Sequence, residues 1–415
     1  MAQTPHRLLK NGRVALSAHE AVPADILISR AGTILAVEAG LSAIDCAVVD
    51  LGGRLVTPGF IDMHQHLDKS FTIADAPNPD GTLLGAIKAF AAYSRGLTTE
   101  DILARAQSTL DACIAHGTVA IRTHANVDHD LQQRSAEAMV ELRARNADRI
   151  RLDVVAFMTS SAAKGDIDAA RALLEQALAG GADTIGGTPN LAPDPAAYIS
   201  MLLDMAERHD RRVDLHIDES LDPEARWFDY LVAQTEQRGL QGRVVASHVS
   251  SLSAVSDDDA RRSIDAAAAA GVGICTLPAA NLFLQGRAQR QLVPRGLTRV
   301  AEMIEAGLTV ATASDNIQDA FVPVGSGDML EMARWTALAA HLLRDPMDTV
   351  YRMIGPAPAA LMGLEGTGAI AVGQEASFVI STARDPAALI ASGAMCLDVM
   401  YRGNFVAGAL AGDPA

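Results

Sequence analysis

The segment Gly59-Phe-Ile-Asp-Met-His-Gln-His-Leu-Asp68 places two histidines, His64 and His66, two residues apart at the end of a short apolar run. Alternate residues of an extended strand project from the same face, so both imidazoles can reach one ion. A turn at Thr57-Pro58 precedes the run, as is usual where a buried strand begins. We therefore predict that this segment is a buried strand that ends in a pair of metal ligands.

Short apolar runs alternate with longer stretches of helical pattern through the middle of the chain. Such alternation is typical of a parallel sheet wrapped by helices. Eight strand candidates over roughly 300 residues predict an α/β fold, a (β/α)8 TIM barrel. The candidates are Pro58–His64, Val119–His124, Arg151–Phe157, Thr184–Gly187, Arg212–His216, Val244–His248, Val272–Leu277 and Leu308–Asp315. The clearest helical stretches between them are Ile167–Leu178, Ala196–Arg208, Asp258–Ala270 and Leu297–Glu305.

The two ends of the chain contain short β-rich runs separated by glycine-containing turns, with little helical pattern. This pattern predicts a small β-sandwich domain built from residues 1–58 and 365–415, in addition to a barrel domain at 59–364. The runs are Asp25–Ser29 and Thr33–Val37 near the start, and Gly368–Gly373, Ala376–Ser381 and Asp398–Gly403 in the tail.

The composition excludes several classes of protein. The net charge of −16 offers no basic surface for nucleic acid. The first ten residues lack the apolar core of a signal peptide. The most apolar stretch, Ile264–Leu284, is interrupted by Asp265, Pro278 and Asn281, so it does not predict a membrane span. We expect a cytoplasmic homo-oligomer without a nucleic-acid or membrane partner.

Polar residues of ligand type stand at the ends of five candidate strands. Because the carboxyl ends of barrel strands converge on one mouth, we expect these side chains to meet in space. They are His64 with His66, His124, His216, His248 and Asp315.

Four of these side chains form the predicted metal site. His64, His66, His216 and Asp315 supply three imidazoles and one carboxylate, which leaves a coordination position for water, as in a catalytic site. For Asp315 a helix N-cap is the alternative role.

Two further residues are candidates for proton transfer beside the metal. Glu219 lies three residues beyond His216, where a carboxylate can carry protons for a metal-bound water. Asp218 competes for this role, but on an extended stretch it points the other way. His248 is expected to be a neutral imidazole that orients or polarises the water or the leaving group. For Glu219 and His248 the alternative is a hydrogen-bonded surface residue.

These motifs together resemble the amidohydrolase superfamily, and within it the cytosine deaminase-like branch, over nearly the whole chain. The matching segments are Pro58–Ser70, Arg122–His124, His216–Glu219, Ala246–His248, Asn281–Arg287 and Ser314–Asp319. The resemblance implies a TIM barrel with a β-sandwich from both termini and one divalent zinc or iron ion. It implies that His64, His66, His216 and Asp315 bind the metal, and that Glu219, His248 and Asp315 are catalytic.

Only four lysines occur in the chain, and this bears on the number of metals. Many proteins of this architecture bridge two metals with a lysine at the end of the fourth strand. Here only Lys164 lies near that region, before the fourth strand begins, so a single metal is expected. The H-x-E and P-C-x-x-C pattern of nucleic-acid deaminases is also absent.

The residues that would bind the substrate differ from those of cytosine deaminases. Thr159 stands where those enzymes carry a ring-binding Gln, Asn316 where they carry a second Asp, and Phe321 where a stacking Trp is expected. The segments around Lys69 and Asn316 are more similar to N-isopropylammelide amidohydrolases. We predict that Lys69, His124, Thr159, Gln285, Asn316 and Phe321 bind the substrate. For Lys69 a salt bridge within a loop is the alternative role.

The predicted function is the metal-dependent, hydrolytic deamination of a small pyrimidine- or triazine-like heterocycle. Metal-bound hydroxide would attack the ring carbon that bears the amine, and ammonia or an alkylamine would leave. An alternative is hydrolysis of a cyclic or N-acyl amide on the same metal. A second alternative is an inactive scaffold that has kept the barrel, although no ligand is missing from this sequence.

Overall fold

The computed structural model describes residues 5–159, 166–393 and 397–412 of the chain. Its strands are β1 (Pro5–Ala15), β2 (Ala21–Ser29), β3 (Ile34–Glu38), β4 (Ala47–Asp50), β5 (Leu55–Pro58), β6 (Phe60–Gln65), β7 (Thr118–Val127), β8 (Arg151–Met158), β9 (Thr184–Gly187), β10 (Val213–Ile217), β11 (Val244–His248), β12 (Gly273–Thr276), β13 (Val310–Thr312), β14 (Phe378–Ser381), β15 (Asp398–Tyr401) and β16 (Asn404–Ala407).

The α-helices of these residues are α1 (Leu83–Ser94), α2 (Thr99–Ala115), α3 (Arg134–Arg145), α4 (Ile167–Ala179), α5 (Pro195–His209), α6 (Trp227–Gln237), α7 (Asp257–Ala269), α8 (Pro278–Leu284), α9 (Val300–Glu305), α10 (Met329–Ala339), α11 (Pro346–Met353), α12 (Pro356–Met362) and α13 (Pro386–Ser392). Short 3-10 helices lie at Pro189–Leu191, Ser250–Ser253 and Ala409–Gly412.

Strands β6 to β13 form one eight-stranded sheet in which each strand pairs with its neighbours in chain order. The first and last strands close on each other beyond their carboxyl ends. There the amide of Asp315 donates to the carbonyl of His64 at 2.8 Å, and the amide of His66 donates to the carbonyl of Asp315 at 3.0 Å. The predicted (β/α)8 barrel and its eight strands are therefore confirmed. Closure also joins three of the predicted metal ligands through their backbones.

The strands near the two termini form a separate eight-stranded sheet in the order β16-β15-β14-β5-β1-β2-β3, with β4 paired to β1. Side chains from strands near both chain termini, such as Ile26 of β2 and Phe378 of β14, share one small core, as in a β-sandwich. The predicted strand at Gly368–Gly373 is wrong. Both glycines have a positive φ, +88° and +87°, so this segment forms turns. Domain boundaries at 58 and 365 stay a prediction.

The helices pack their apolar faces around the barrel. Helix α2 begins with a capping box, in which Thr98 and Asp101 each bind the other's backbone amide, and it buries Ile102 and Leu110. The four predicted helices are present, but the last begins at Val300 rather than at Leu297, because the residue before Val300 has a non-helical ψ of 62°. Among the described residues, no helix is both long and apolar enough to cross a bilayer.

Candidate active site

Four predicted ligand atoms converge at the carboxyl end of the barrel. The Nε2 atom of His216 lies 3.2 Å from Nε2 of His64 and 3.1 Å from Nε2 of His66. Oδ1 of Asp315 lies 3.5 Å from Nε2 of His64 and 3.2 Å from Nε2 of His66. Two ligand atoms that each lie about 2.0–2.1 Å from one ion are at most about 4.1 Å apart, so these spacings suit a single ion. All four side chains are buried and mutually within reach of one metal.

The chemistry of these groups also fits a divalent cation. Oδ1 of Asp315 is buried and accepts no hydrogen bond of good geometry, although two imidazoles approach it. Burial lowers the pKa of His66 and of His216 well below the usual value. Both rings are therefore neutral, and each can offer a nitrogen lone pair to a metal. Burial also opposes protonation of His64, but Asp214 and Asp315 raise its pKa to about 9. An ion therefore has to displace a proton from His64.

The remaining ring nitrogens of two histidines are held by hydrogen bonds. Nδ1 of His66 lies 3.2 Å from the carbonyl oxygen of His124, which can only accept, so Nδ1 carries the proton and Nε2 is free to bind metal. Nδ1 of His64 lies 3.0 Å from Oγ of Ser247, which donates to Oδ1 of Asp214 at 2.8 Å. Such partners fix the tautomer and orientation of a ligating imidazole.

Below the four ligand atoms lies a buried ionic network. Arg122 is fully buried and donates to Asp214 at 3.1 Å and to Asp153 at 2.9 and 3.1 Å. His64, His124 and Asp214 form a second group of side chains whose types and spacing could bind a metal ion. However, the oxygens of Asp214 already accept hydrogen bonds from Arg122 and Ser247. This group therefore supports the orientation of His64 better than it suits a second ion.

The backbone is strained where three of the barrel strands end. Asp218, His248 and Asp315 have φ values of +50°, +71° and +62°, a region that few residues other than glycine adopt. Strained backbone of this kind persists where the surroundings enforce it and concentrates at functional sites. These turns end the strands β10, β11 and β13 at the mouth of the barrel.

Glu219 and His248, the predicted proton-transfer residues, are neighbours at this mouth. Oε1 of Glu219 lies 3.8 Å from Nδ1 of His248, and the Glu219 side chain is 13% exposed. Burial and the charge of Asp315 raise the pKa of Glu219 well above its usual value. Burial lowers the pKa of His248 to about 3, so this ring is neutral. Asn281 holds it, with Nδ2 at 3.1 Å from Nδ1.

Asp218 points away from the cavity, as the alternation of side chains predicts. Its carboxylate accepts hydrogen bonds from the side chain of Asn190 and from the amides of Trp227 and Phe228, at 3.0 to 3.1 Å. It thereby fixes the start of helix α6. This arrangement leaves Glu219 as the carboxylate that faces the reaction site.

A cavity of about 570 Å³ opens above the four ligand atoms. This volume lies within the range of about 300–1,000 Å³ that is usual for small-molecule sites. Five of the six predicted substrate-binding residues line it, together with apolar residues of α1. The five are Lys69, Thr159, Gln285, Asn316 and Phe321.

His124, the sixth predicted substrate-binding residue, does not line this cavity. Its ring stacks behind that of His64, with ring centroids 3.9 Å apart. Strand β7 continues to Val127, so His124 lies three residues before the strand end and one layer deeper than expected. Asn126, two residues further along the same face, lines the cavity instead.

Several supporting residues escaped prediction from the sequence: Asp214, Ser247, Asn281, Asn126 and Arg122. One of them carried a usable signal. Asp214 precedes His216 by two residues and therefore shares its face of the strand. Ser247 had none, because its position beside His216 follows from the register of β10 and β11. Lys164, from which a single metal was inferred, lies outside the described residues.

Replacing Ser247 with Ala should weaken metal binding by about 10- to 100-fold, because the hydroxyl that orients His64 is lost. Competition with a chelator of known affinity measures this change. Ser253→Ala is a matched control, since Ser253 is an exposed residue of the 3-10 helix that follows β11. Equal affinity in wild type and Ser247→Ala would refute the orienting role.

Comparison with known proteins places the chain in a family. It matches the amidohydrolase family over residues 47–183 and 133–407. The pterin deaminase of Rhizobium rhizogenes (strain K84 / ATCC BAA-868) is 34% identical over 351 residues, which cover 83% of this chain and 79% of that protein. The N-isopropylammelide isopropyl amidohydrolase of Pseudomonas sp. (strain ADP) is 28% identical over 387 residues, 90% of this chain and 91% of that protein.

A solved structure agrees with these relatives. The 5-methylcytosine deaminase of Klebsiella pneumoniae, crystallised with 5-fluorocytosine, has a TM-score of 0.89 and 27% sequence identity. The match covers 97% of each chain. The resemblance to cytosine deaminase-like and N-isopropylammelide-hydrolysing proteins, predicted from the sequence motifs, is thus confirmed.

Proposed function

Because this chain belongs to the amidohydrolase family and is a hydrolase of carbon–nitrogen bonds, we propose that it deaminates a small nitrogen heterocycle by hydrolysis. The observation that carries this proposal is the convergence of the four ligand atoms with Glu219 and His248 at the floor of one cavity. We assign one divalent ion, zinc or iron, to His64, His66, His216 and Asp315.

The relatives suggest which ring to test first. Their names give pterin, N-isopropylammelide and 5-methylcytosine as substrates, all of which are nitrogen heterocycles. We place pteridines first, because the pterin deaminase has the higher identity of the two related sequences. Thr159, Gln285, Asn316 and Phe321 are the proposed contacts to the ring, with Lys69 beside them.

In this mechanism the side chains of the chain move the protons. A divalent ion at the site would lower the pKa of a bound water, from about 15.7 to about 7 in the best-known zinc case. Asp315 would accept the proton of the attacking water, and the neutral ring of His248 would orient that water. Glu219, whose acid form is favoured because burial and the charge of Asp315 raise its pKa, donates to a ring nitrogen and makes the adjacent carbon electrophilic. Asp315 then returns its proton to the exocyclic nitrogen, the carbon–nitrogen bond breaks, and ammonia or an alkylamine leaves. The proton of the new hydroxyl group returns to Glu219, which leaves a carbonyl on the ring carbon.

We propose these further properties as well: the division into domains at residues 58 and 365, a homo-oligomeric assembly and a cytoplasmic location.

A screen of metal-loaded protein tests the proposed function. Aminopteridines, aminopyrimidines and aminotriazines are incubated with protein that contains one ion per chain, and released ammonia or amine is measured. We expect release with at least one class, together with replacement of the exocyclic amine by oxygen and an intact ring. Ring opening would favour amide hydrolysis instead. No release from any class by fully loaded protein would refute the proposal.

A further inference from the structure

Lys69 is a buried ammonium in the wall of the cavity, with only 3% of its surface exposed. Its Nζ donates one hydrogen bond, to Oδ1 of Asn126 at 3.0 Å. Three phenyl rings surround it: Nζ lies 5.1 Å from the ring centroids of Phe90 and Phe321 and 5.7 Å from that of Phe157. Since an ammonium has three donors, the described residues leave donors of Lys69 available to a ligand.

No contact ion pair compensates this charge. Among the described ranges of the chain, no carboxylate oxygen lies within 4.0 Å of the Lys69 ammonium. Two buried acids nearby in the fold are directed elsewhere. Asp68 accepts from the amide of Asn126 at 3.0 Å. Asp319 accepts from the amides of Phe321 and Val322 and from the side chain of Asn316, at 2.6 to 3.0 Å.

A buried cation without an ion pair at contact distance is unfavourable, and its attraction for an anion is correspondingly strong. Taking a charge out of water costs free energy unless the charge is paired and hydrogen-bonded. The phenyl rings offset part of this cost. They also exclude water, which strengthens any electrostatic contact with a ligand. Asp68, Glu219 and Asp319 act on this charge only from beyond contact distance, whereas an anionic oxygen beside Nζ would compensate it directly.

We propose that Lys69 binds an anionic oxygen of the substrate, so that the enzyme prefers acidic amino-heterocycles to neutral ones. This inference rests on the proposed function and defines the substrate class of the same site. The charge could lie on an ionised lactam oxygen of the ring or on a carboxylate substituent. The cavity of about 570 Å³ has room for either, and Leu83, Ile87 and Phe90 of helix α1 form an apolar wall that the ring of the substrate would contact.

Three ligands distinguish the two sources of charge. 2-Aminopteridine carries neither group, pterin adds the lactam oxygen, and pterin-6-carboxylate adds the carboxylate. Their affinities are measured by calorimetry in the Glu219→Gln background, alone and combined with Lys69→Met. Lys69→Met removes the charge and keeps a chain of similar length. Lys88→Met is the matched control, because Lys88 is exposed on helix α1 and does not line the cavity.

We expect one of the two added groups to increase affinity in the Glu219→Gln protein, and Lys69→Met to abolish that increase, a loss of about 10- to 100-fold. The group whose effect disappears is the one that Lys69 binds. Binding of 2-aminopteridine should change less than about threefold, and Lys88→Met should change nothing. Equal losses for all three ligands, or no loss for any, would overturn the proposal.

Two further measurements keep the result interpretable. Thermal unfolding shows whether Lys69→Met is folded; Lys69→Gln replaces it if it is not, with the same expected loss. Turnover by the wild-type protein is measured with the same ligands. A wild type that binds charged pteridines through Lys69 but hydrolyses none would contradict the proposed function and still support anion binding.

Discussion

Glu219→Gln should lower kcat by about 10²- to 10⁴-fold while the protein keeps its full complement of metal. The substitution preserves size and hydrogen-bonding shape but removes the acidic proton. In the wild type, burial and the charge of Asp315 raise the pKa of Glu219 and so favour the form that carries this proton. An amide cannot protonate a ring nitrogen, so the ring carbon stays a poor electrophile. Steady-state kinetics and metal analysis on the same sample measure both quantities.

The control for this variant is Glu224→Gln, which makes the same change at an exposed position of the loop after β10. We expect its kcat to equal that of the wild type. Glu219 is not among the four ligand residues, so metal content should not change in either variant. Full activity in Glu219→Gln, or a loss of metal equal to the loss of activity, would remove Glu219 from the proposed role.

The sequence allowed prediction of the barrel and of most polar residues at its mouth, for a physical reason. Strand ends of a parallel barrel meet at one face whatever the loops do. A histidine or aspartate at the end of an apolar run can therefore be assigned to this face of the barrel from the sequence alone. His64, His216 and Asp315 were predicted in this way, and their ligand atoms lie within reach of one ion.

The depth of a residue along its strand was harder to predict. His124 appeared to end its strand, because Ala125 and Asn126 do not continue a strongly apolar pattern. In the structure, β7 runs on to Val127, since its residues pair with β8 as far as Met158. Pairing between strands, not local pattern, sets where a strand ends. His124 therefore supports His64 from behind, and Asn126 faces the cavity.

The hydrogen bonds that orient the site were also beyond prediction. Ser247 reaches both His64 and Asp214 because three strands bring these residues together. The contact depends on the order of the strands and on the register in which they pair. Similarly, the pairing of Asn281 with His248 joins helix α8 to β11. Neither pair has a spacing in the sequence that would have indicated it.

His216→Ala should abolish metal binding and, with it, all measurable turnover. Nε2 of His216 lies 3.1–3.2 Å from Nε2 of both other histidine ligands, so the three rings face the same metal position. Without it, two imidazoles and one carboxylate remain, one donor fewer than the three-histidine, one-carboxylate set assigned here. Metal analysis after dialysis should fall from about one ion per chain to near zero.

Thermal unfolding gives an independent measure of the same loss. An ion present at about 1,000 times its dissociation constant stabilises the folded state by about 4 kcal/mol. A chelator should therefore lower the Tm of the wild type by several degrees and leave the Tm of His216→Ala unchanged. His209→Ala is the matched control, because its ring pairs with Glu175 at the end of α5, away from the site. Retained metal and a chelator-sensitive Tm in His216→Ala would exclude His216 as a ligand.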